Sequence, residues 1–234
     1  MTGGGPNIGG NMSVSEDRTS VAPATAASPI ADPAPLGLAA FALTTFLLSA
    51  ANAHWMNGNA TGDAWLGYAF AYGGLAQLLA GMWEFRNRNV FGATAFSSYG
   101  GFWIGLGLWF LLVAGKARPA VVAGTAFLNH DLGWILLAFL IFNTYMLIIS
   151  TQVNLAVFGV FLTLELTEIF LVLGNLTTKV PALPPDPTSS GLIVIGGIIG
   201  VITALVAWYA SAAGVMNGHK GRAIFPVGKP LFDM

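Results

Sequence analysis

The sequence predicts an all-α integral membrane protein in which six transmembrane helices surround a central solute path. Of its 234 residues, 55% are hydrophobic and only 8% are charged, and the mean hydropathy is +0.72. Soluble domains carry about a quarter charged residues, so this chain has too little polar surface to cover a soluble particle. Six apolar runs are each about 20 residues long, enough to span about 30 Å of hydrocarbon as an α-helix.

The apolar runs divide the chain into three predicted segments. Residues 1–30 are rich in small and polar residues without a periodic apolar face, which predicts a disordered tail. Residues 31–214 form the predicted six-helix membrane domain, and residues 215–234 form a cytoplasmic C-terminal tail. The first run extends from Asp32 to about residue 53, and the others lie near 64–83, 97–115, 131–149, 153–173 and 190–213.

Composition excludes several classes of protein. A net charge of -1 argues against nucleic-acid binding, which needs clustered Lys and Arg. The absence of cysteine excludes disulfides and thiolate metal sites. No metal-ligand constellation and no arrangement of nucleophile, base and acid stands out, so we expect no metal, no cofactor and no enzyme. The start of the chain also lacks the features of a cleaved signal peptide.

The first membrane helix has a polar start and a mixed face. Asp32 is suited to cap backbone N–H groups, and Pro33 and Pro35 are tolerated in a first turn. A stripe at helical spacing then mixes hydroxyl and apolar groups. This stripe either lines a pore or places threonines that bond their own backbone at a helix contact. Its members are Phe41, Thr44, Thr45 and Leu48.

The stretch from Tyr72 to Trp103 has closely spaced glycines and unexpected polar groups. Gly73, Gly74 and Gly81 leave room for close helix approach. Gln77 and Tyr99 also lie in this stretch, and lipid contact would be costly for both. Gln77 serves either as a bonded amide between helices or as a donor that lines the path.

Glu84 lies at the inner end of the second span, with Arg86 and Arg88 nearby. This spacing favours a structural ion pair at the membrane interface.

The fifth run contains two carboxylates, Glu165 and Glu168, three residues apart and therefore on one helix face. Two ionised carboxylates repel in a low dielectric, so we expect at least one to hold a proton near neutral pH. Intramembrane carboxylates are usually functional, which makes the pair a candidate for proton coupling. The structural alternatives are that the pair lines a water-facing wall or that it binds a Lys or Arg of another span.

Basic residues predict the orientation in the membrane. With both termini in the cytoplasm, inner segments hold six of the nine Lys and Arg residues and outer loops hold three. The inner residues are Arg18, Arg86, Arg88, Lys220, Arg222 and Lys229, and the outer ones are Lys116, Arg118 and Lys179.

Three stretches resemble signatures of the acetate uptake transporter family, whose bacterial members are the succinate–acetate permeases. The first is the heptad from Asp32 to Leu38, which contains Pro33, Pro35 and Gly37. The second contains Tyr72-Gly73-Gly74, Gln77, Glu84 and Ser98-Tyr99-Gly100, and the third is the tail from Gly221 to Gly228. The resemblance covers residues 31 to 228, so it is far more specific than one short motif.

The resemblance implies a homohexamer in the plasma membrane, with a separate conduction path for small monocarboxylates in each protomer. Acetate is the chief expected substrate, with succinate carried by some members. It also implies a narrow hydrophobic constriction formed here by Phe41, Tyr99 and Leu164, with Thr44, Thr45, Leu48 and Gln77 along the path. The pore interpretation of the first-span stripe is then favoured.

Two departures from the family pattern bear on function. The heptad has Asp32 where the family has Asn, and a carboxylate at a path mouth would repel an acetate anion. Glu165 and Glu168 replace apolar or hydroxyl residues and could supply the proton for symport. Channel and symport mechanisms both remain open, as do a neutral cargo such as urea or ammonia and a scaffold without flux.

Overall fold

A computed structural model describes residues 1–2, 30–56, 64–114, 125–177 and 191–232, and six helical elements lie within these ranges. The second element, α2, is α-helical over Trp65–Phe70, π-helical over Ala71–Ala76 and α-helical again over Gln77–Arg86. The third, α3, spans Val90–Trp109 and continues as a π-helix over Phe110–Ala114. The others are α1 (Ala34–Asn52), α4 (Thr125–Ser150), α5 (Leu155–Leu176) and α6 (Gly191–Lys220).

Five helical stretches among the described residues are long and apolar enough to cross a membrane. They are Ala34–Asn52, Val90–Val113, Asn129–Ser150, Leu155–Leu176 and Gly191–Lys220. The remaining predicted run, 64–83, falls on α2, whose regular turns are interrupted by the π-helical segment. The chain is therefore an all-helical, multi-pass membrane protein with five such spans in the described part.

The helices pack side by side in a ring in which α1 lies between α2 and α6. Helix α6 packs against both α1 and α5, α5 packs against α4, and α3 packs against α2, with a smaller α3–α4 contact closing the ring. Helices α1 and α3 run in the same direction, because Gly37 abuts Phe96 while Phe41 contacts Tyr99 one turn later. Helix α4 runs opposite to α3 and α5, so α1, α3 and α5 are all parallel.

Close helix approach at the predicted glycines is confirmed. A Cβ added at Gly73 would collide with the Thr44 side chain on α1, and one at Gly81 would collide with Ser97 on α3. At Gly37 an added Cβ would lie 2.7 Å from the Phe96 ring. Small residues at these crossings allow helices to approach closely without lipid between them.

Side chains cap several helix starts. Asp32 Oδ1 accepts a 3.0 Å hydrogen bond from the Ala34 backbone N–H, as its predicted capping role requires. The side chains of Asn89 and Asn154 accept bonds from the first turns of α3 and α5 in the same way. These bonds satisfy backbone donors that have no partner within the helix.

The segment after α6 packs back against the end of α4 and the start of α5. Helix α6 continues to Lys220, so the predicted boundary at residue 214 falls inside it. Beyond it, the Ala156 N–H donates to Val227 O at 2.9 Å and the Leu231 N–H donates to Thr151 O at 2.7 Å. The segment 221–232 is thus held against the α4–α5 turn. Nearly all of the predicted tail 1–30 and the loops with Lys116, Arg118 and Lys179 lie outside the described residues.

Candidate functional site

The three predicted constriction residues lie together. Phe41 on α1, Tyr99 on α3 and Leu164 on α5 belong to one buried cluster, with exposed fractions of 5%, 4% and 6%. The Phe41 and Tyr99 rings meet edge to face, with their centroids 5.7 Å apart. Three separate helices therefore contribute apolar side chains to one buried cluster, which we call the gate after the role that the family resemblance predicts for it.

A buried amide fixes the polar end of Tyr99. The Tyr99 hydroxyl donates a 2.9 Å hydrogen bond to Asn143 Oδ1 on α4. Asn143 Nδ2 donates in turn to Phe161 O at 3.1 Å and to Glu165 Oε2 at 2.7 Å. Asn143 is fully buried, so this amide joins the gate to one of the two predicted carboxylates.

The two carboxylates of α5 have different surroundings. Glu165 is half-buried and accepts bonds from Asn143 and from the Thr144 hydroxyl, which lies 2.7 Å from its Oε1. Glu168 is 4% exposed, and its Oε2 has no hydrogen-bond partner. An amide and a hydroxyl, rather than a Lys or Arg, thus satisfy Glu165, whereas Glu168 faces the interior with an oxygen unpaired.

The predicted path residues on α1 and α2 are largely buried. Thr44 Oγ1 donates within α1 to Ala40 O at 3.2 Å and lies 3.4 Å from Tyr68 O on α2, so it serves a helix contact. Thr45 Oγ1 and Gln77 Oε1 are buried without a hydrogen-bond partner. Leu48 is half-buried beside the cluster that contains Trp65 and Trp103.

The ion-pair interpretation of Glu84 is wrong. Glu84 is fully buried, and its Oε2 accepts a 3.3 Å bond from Asn87, whereas Arg86 and Arg88 are exposed. A Cβ at Gly92 would lie 2.8 Å from Glu84 Oε1, so the carboxylate packs against the start of α3. Its role here is to join the end of α2 to α3.

The heptad holds α1 against α6. The Ser211 hydroxyl on α6 donates a 2.6 Å bond to Pro35 O, and a Cβ at Gly214 would lie 2.7 Å from the Pro35 ring. Next to this contact is an open cavity of about 560 Å³ that Asp32, Tyr72 and His219 help to line. Asp32 therefore lies both just before the first turn of α1 and at a solvent-accessible recess.

Sequence reasoning missed two buried groups beside the gate, Asn143 and Trp103. Asn143 interrupts an apolar run, and a polar residue inside a membrane span is by itself a signal of function or helix contact. Trp103 is 3% exposed, and its Nε1 has no hydrogen-bond partner. Tryptophan is common in apolar helices, so its sequence position gave no comparable signal.

This arrangement defines a class of protein. Apolar side chains meet in the middle of a multi-pass helical bundle, and buried hydroxyl, amide and carboxyl groups adjoin them. A buried polar group without a partner is costly unless water or a solute satisfies it. Fold and site together are those of a multi-pass helical membrane protein whose interior places unpaired polar groups beside an apolar cluster.

Comparison with known proteins places the chain in a family. It belongs to the GPR1/FUN34/yaaH family, whose model matches residues 16–229. It is 39% identical over 200 residues to acetate permease A of Emericella nidulans, covering 84% of this chain and 65% of that protein. It is 32% identical over 200 residues to the succinate-acetate/proton symporter SatP of Escherichia coli, and the match covers 86% of this chain and 96% of that protein.

A solved structure has the same fold. The bacterial acetate channel SatP matches with a TM-score of 0.71 at 30% identity, over 85% of this chain and 99% of that one. The match spans only 65% of the length of acetate permease A, the longer of these two relatives.

Proposed function

We propose that this protein carries small monocarboxylates, chiefly acetate, across the membrane through a path in each protomer. The observation that carries the proposal is the gate, because helices distant in sequence bring Phe41, Tyr99 and Leu164 into one buried cluster. The names of the relatives support acetate as the substrate, since an acetate permease, a succinate-acetate/proton symporter and an acetate channel are among them.

The physics of dehydration explains how such a gate selects. A carboxylate must lose most of its water to pass apolar side chains, and desolvating an ion costs far more than desolvating a neutral acid. A narrow bore also excludes larger solutes. Passage is therefore easiest for a small acid that meets a proton or hydrogen-bond donors next to the gate.

The assembly and topology that we propose follow the family resemblance. The protomer has six spans, with α2 as the one interrupted by π-helix, and six protomers form the oligomer. The transport domain begins at residue 31 as predicted and, because α6 continues to Lys220, ends there rather than at 214. Both termini are cytoplasmic, and the membrane is the plasma membrane.

A neutral cargo is the alternative function. An apolar gate admits urea or ammonia without the cost of moving an ion, so the gate by itself does not distinguish these solutes from acetate. A scaffold without flux is a further alternative, and the unpaired polar groups beside the gate argue against it.

Radiolabelled acetate uptake into proteoliposomes tests the proposal. We expect saturable uptake that unlabelled acetate inhibits and urea does not, with succinate as a second competitor. Imposing a pH gradient separates symport, which the gradient drives uphill, from channel passage. Absence of acetate flux in vesicles that conduct urea or ammonia would overturn the proposal in favour of the alternative.

A further inference from the structure

A second layer of side chains lies one helical turn beyond the gate. Adding four residues to Phe41, Tyr99 and Leu164 gives Thr45, Trp103 and Glu168. Residues four apart share a helix face. Because α1, α3 and α5 are parallel, these residues are displaced from the gate in the same direction along the bundle.

Each member of this layer has an unpaired polar atom. Thr45, Trp103 and Glu168 have exposed fractions of 5%, 3% and 4%. Thr45 Oγ1, Trp103 Nε1 and Glu168 Oε2 are all buried without a hydrogen-bond partner in the described part of the chain. Buried polar atoms are satisfied in the great majority of cases, so three orphans in one layer call for a shared explanation.

Packing places members of this layer beside the gate. Leu48, which lies on the same α1 face as Phe41 and Thr45, packs against the cluster that contains Trp103. The Glu168 carboxyl adjoins the Tyr99 hydroxyl closely enough to interact with it. Glu168 therefore borders the gate, and Trp103 lies in the neighbouring cluster on the side of Leu48.

We propose that Thr45, Trp103 and Glu168 form a binding site for a carboxylate next to the gate, where the transported acid and one proton bind together. This inference rests on the proposed function. The Thr45 hydroxyl and the Trp103 indole N–H donate to the substrate oxygens. An ionised Glu168 would repel the anion, so the Glu168 carboxyl binds it as the protonated acid and donates its O–H.

The surroundings of Glu168 agree with this role. Among the described residues, the titratable groups that act on Glu168 are Glu165 on its own helix and Tyr99 on α3. Neither is a cation, so no positive charge holds Glu168 ionised. Glu165, by contrast, already accepts two hydrogen bonds and is not part of the site.

The test combines single substitutions with matched controls. Thr45→Val and Trp103→Phe remove one donor each while keeping most of the volume. Thr163→Val is the control for the first, because the Thr163 hydroxyl already bonds Gly159 O at 2.8 Å. Trp65→Phe is the control for the second, because Trp65 is buried in the same cluster as Trp103 but lies on α2.

We expect each site variant to raise the KM for acetate about ten-fold with little change in maximal rate, the effect of one lost hydrogen bond to a charged group. The control variants should retain the wild-type KM. Glu168→Gln should lose uptake driven by a pH gradient. Equal KM values for Trp103→Phe and Trp65→Phe would overturn the site while leaving acetate transport itself intact.

A direct binding measurement separates this site from the function. In lipid nanodiscs, solid-state NMR should detect a dipolar contact between [1-¹³C]acetate and ¹⁵N-labelled indole that disappears in Trp103→Phe and persists in Trp65→Phe. A contact that survives in Trp103→Phe, or none in the wild type, would overturn the site. Vesicles that take up no acetate would instead overturn the proposed function.

Discussion

The hydroxyl of Tyr99 on α3 donates a 2.9 Å hydrogen bond to Oδ1 of Asn143 on α4. This bond joins α3 to α4, where the Phe139 and Phe142 rings also contact the Tyr99 ring. It holds the Tyr99 hydroxyl toward α4, while the Tyr99 and Phe41 rings meet edge to face. One buried amide therefore sets the orientation of a gate side chain.

Replacing Asn143 with Leu should loosen the gate. The change leaves the Tyr99 hydroxyl and Glu165 without their shared partner, which should destabilise the protein by about 1–3 kcal/mol. We also expect uptake of larger acids such as butyrate. Thermal unfolding in detergent and competition assays measure the two effects. Asn175→Leu is the control, because its buried amide bonds Leu171 O on its own helix, and equal selectivity in both variants would argue against the role of Asn143.

Shortening Leu164 should widen the gate directly. Leu164→Ala removes most of one wall, so propionate and butyrate should compete with acetate more strongly than in the wild type. The variant also creates a cavity, with an expected cost of about 2–5 kcal/mol. Leu171→Ala, on the same helix but two turns away, should cost similar stability and leave selectivity unchanged. Unaltered competition by butyrate in Leu164→Ala would exclude Leu164 from the narrowest point.

Replacing both Glu165 and Glu168 with Gln should abolish pH-dependent acetate uptake while preserving assembly. Glutamine keeps the shape and hydrogen-bonding ability of the acid but cannot exchange a proton. Uptake should then be flat between about pH 5 and pH 8, whereas that of the wild type should vary with protonation. Size-exclusion chromatography confirms assembly. A double variant whose pH profile matches the wild type would remove both carboxylates from coupling.

Adding a methyl group at Gly37 should separate α1 from α3. The new Cβ would lie 2.7 Å from the Phe96 ring, and overpacking of this kind costs about 1–3 kcal/mol. Gly101→Ala is the matched control on α3, because nothing lies within 4 Å of its added Cβ. It should be neutral or stabilising by up to about 1 kcal/mol, through helix propensity. Equal unfolding temperatures for the two variants would contradict the close approach at Gly37.

Removing the Asn217 side chain should release the C-terminal segment. Asn217 Oδ1 accepts bonds from the Ile224 and Phe225 N–H groups at 2.7 and 2.9 Å, and its Nδ2 donates to Phe225 O at 2.9 Å. Asn217→Ala should therefore speed hydrogen exchange at both amides at least ten-fold, because each loses its acceptor. Amides inside α6 serve as the internal reference. Unchanged exchange would mean that other contacts hold the segment.

Several features followed from local sequence. Long apolar runs and scarce charge predicted the membrane helices. An apolar run of this length pairs its own backbone N–H and C=O groups in a membrane by forming a helix. Asp32 was predicted at the start of α1, where it accepts a bond from Ala34. The π-helical interruption of α2 over Ala71–Ala76 was not predictable from sequence. It depends on how Gly73 and Gly74 pack against neighbouring helices.

The partners of polar groups were the part that sequence left undecided. Spacing along one helix favoured a Glu84 ion pair with arginine, but the fold buries the carboxylate beside Asn87 and Gly92. Spacing placed Glu165 and Glu168 on one face, yet only Glu165 meets donors from α4. Such contacts depend on the crossing of two helices, which periodicity along a single helix does not encode.

By itself, the sequence determined that this chain enters a membrane as helices. Its long runs of apolar residues carry few charges and can pair their own backbone groups in lipid by forming helices. It also placed polar and carboxyl groups within those helices. The tertiary structure decided that Phe41, Tyr99 and Leu164, which only the family resemblance had linked, meet in one buried cluster. It also decided that Thr45, Trp103 and Glu168 lie one turn beyond them, each with an unpaired polar atom. The physical reason is that the neighbours of a buried group come from other helices, and packing alone sets which helices adjoin.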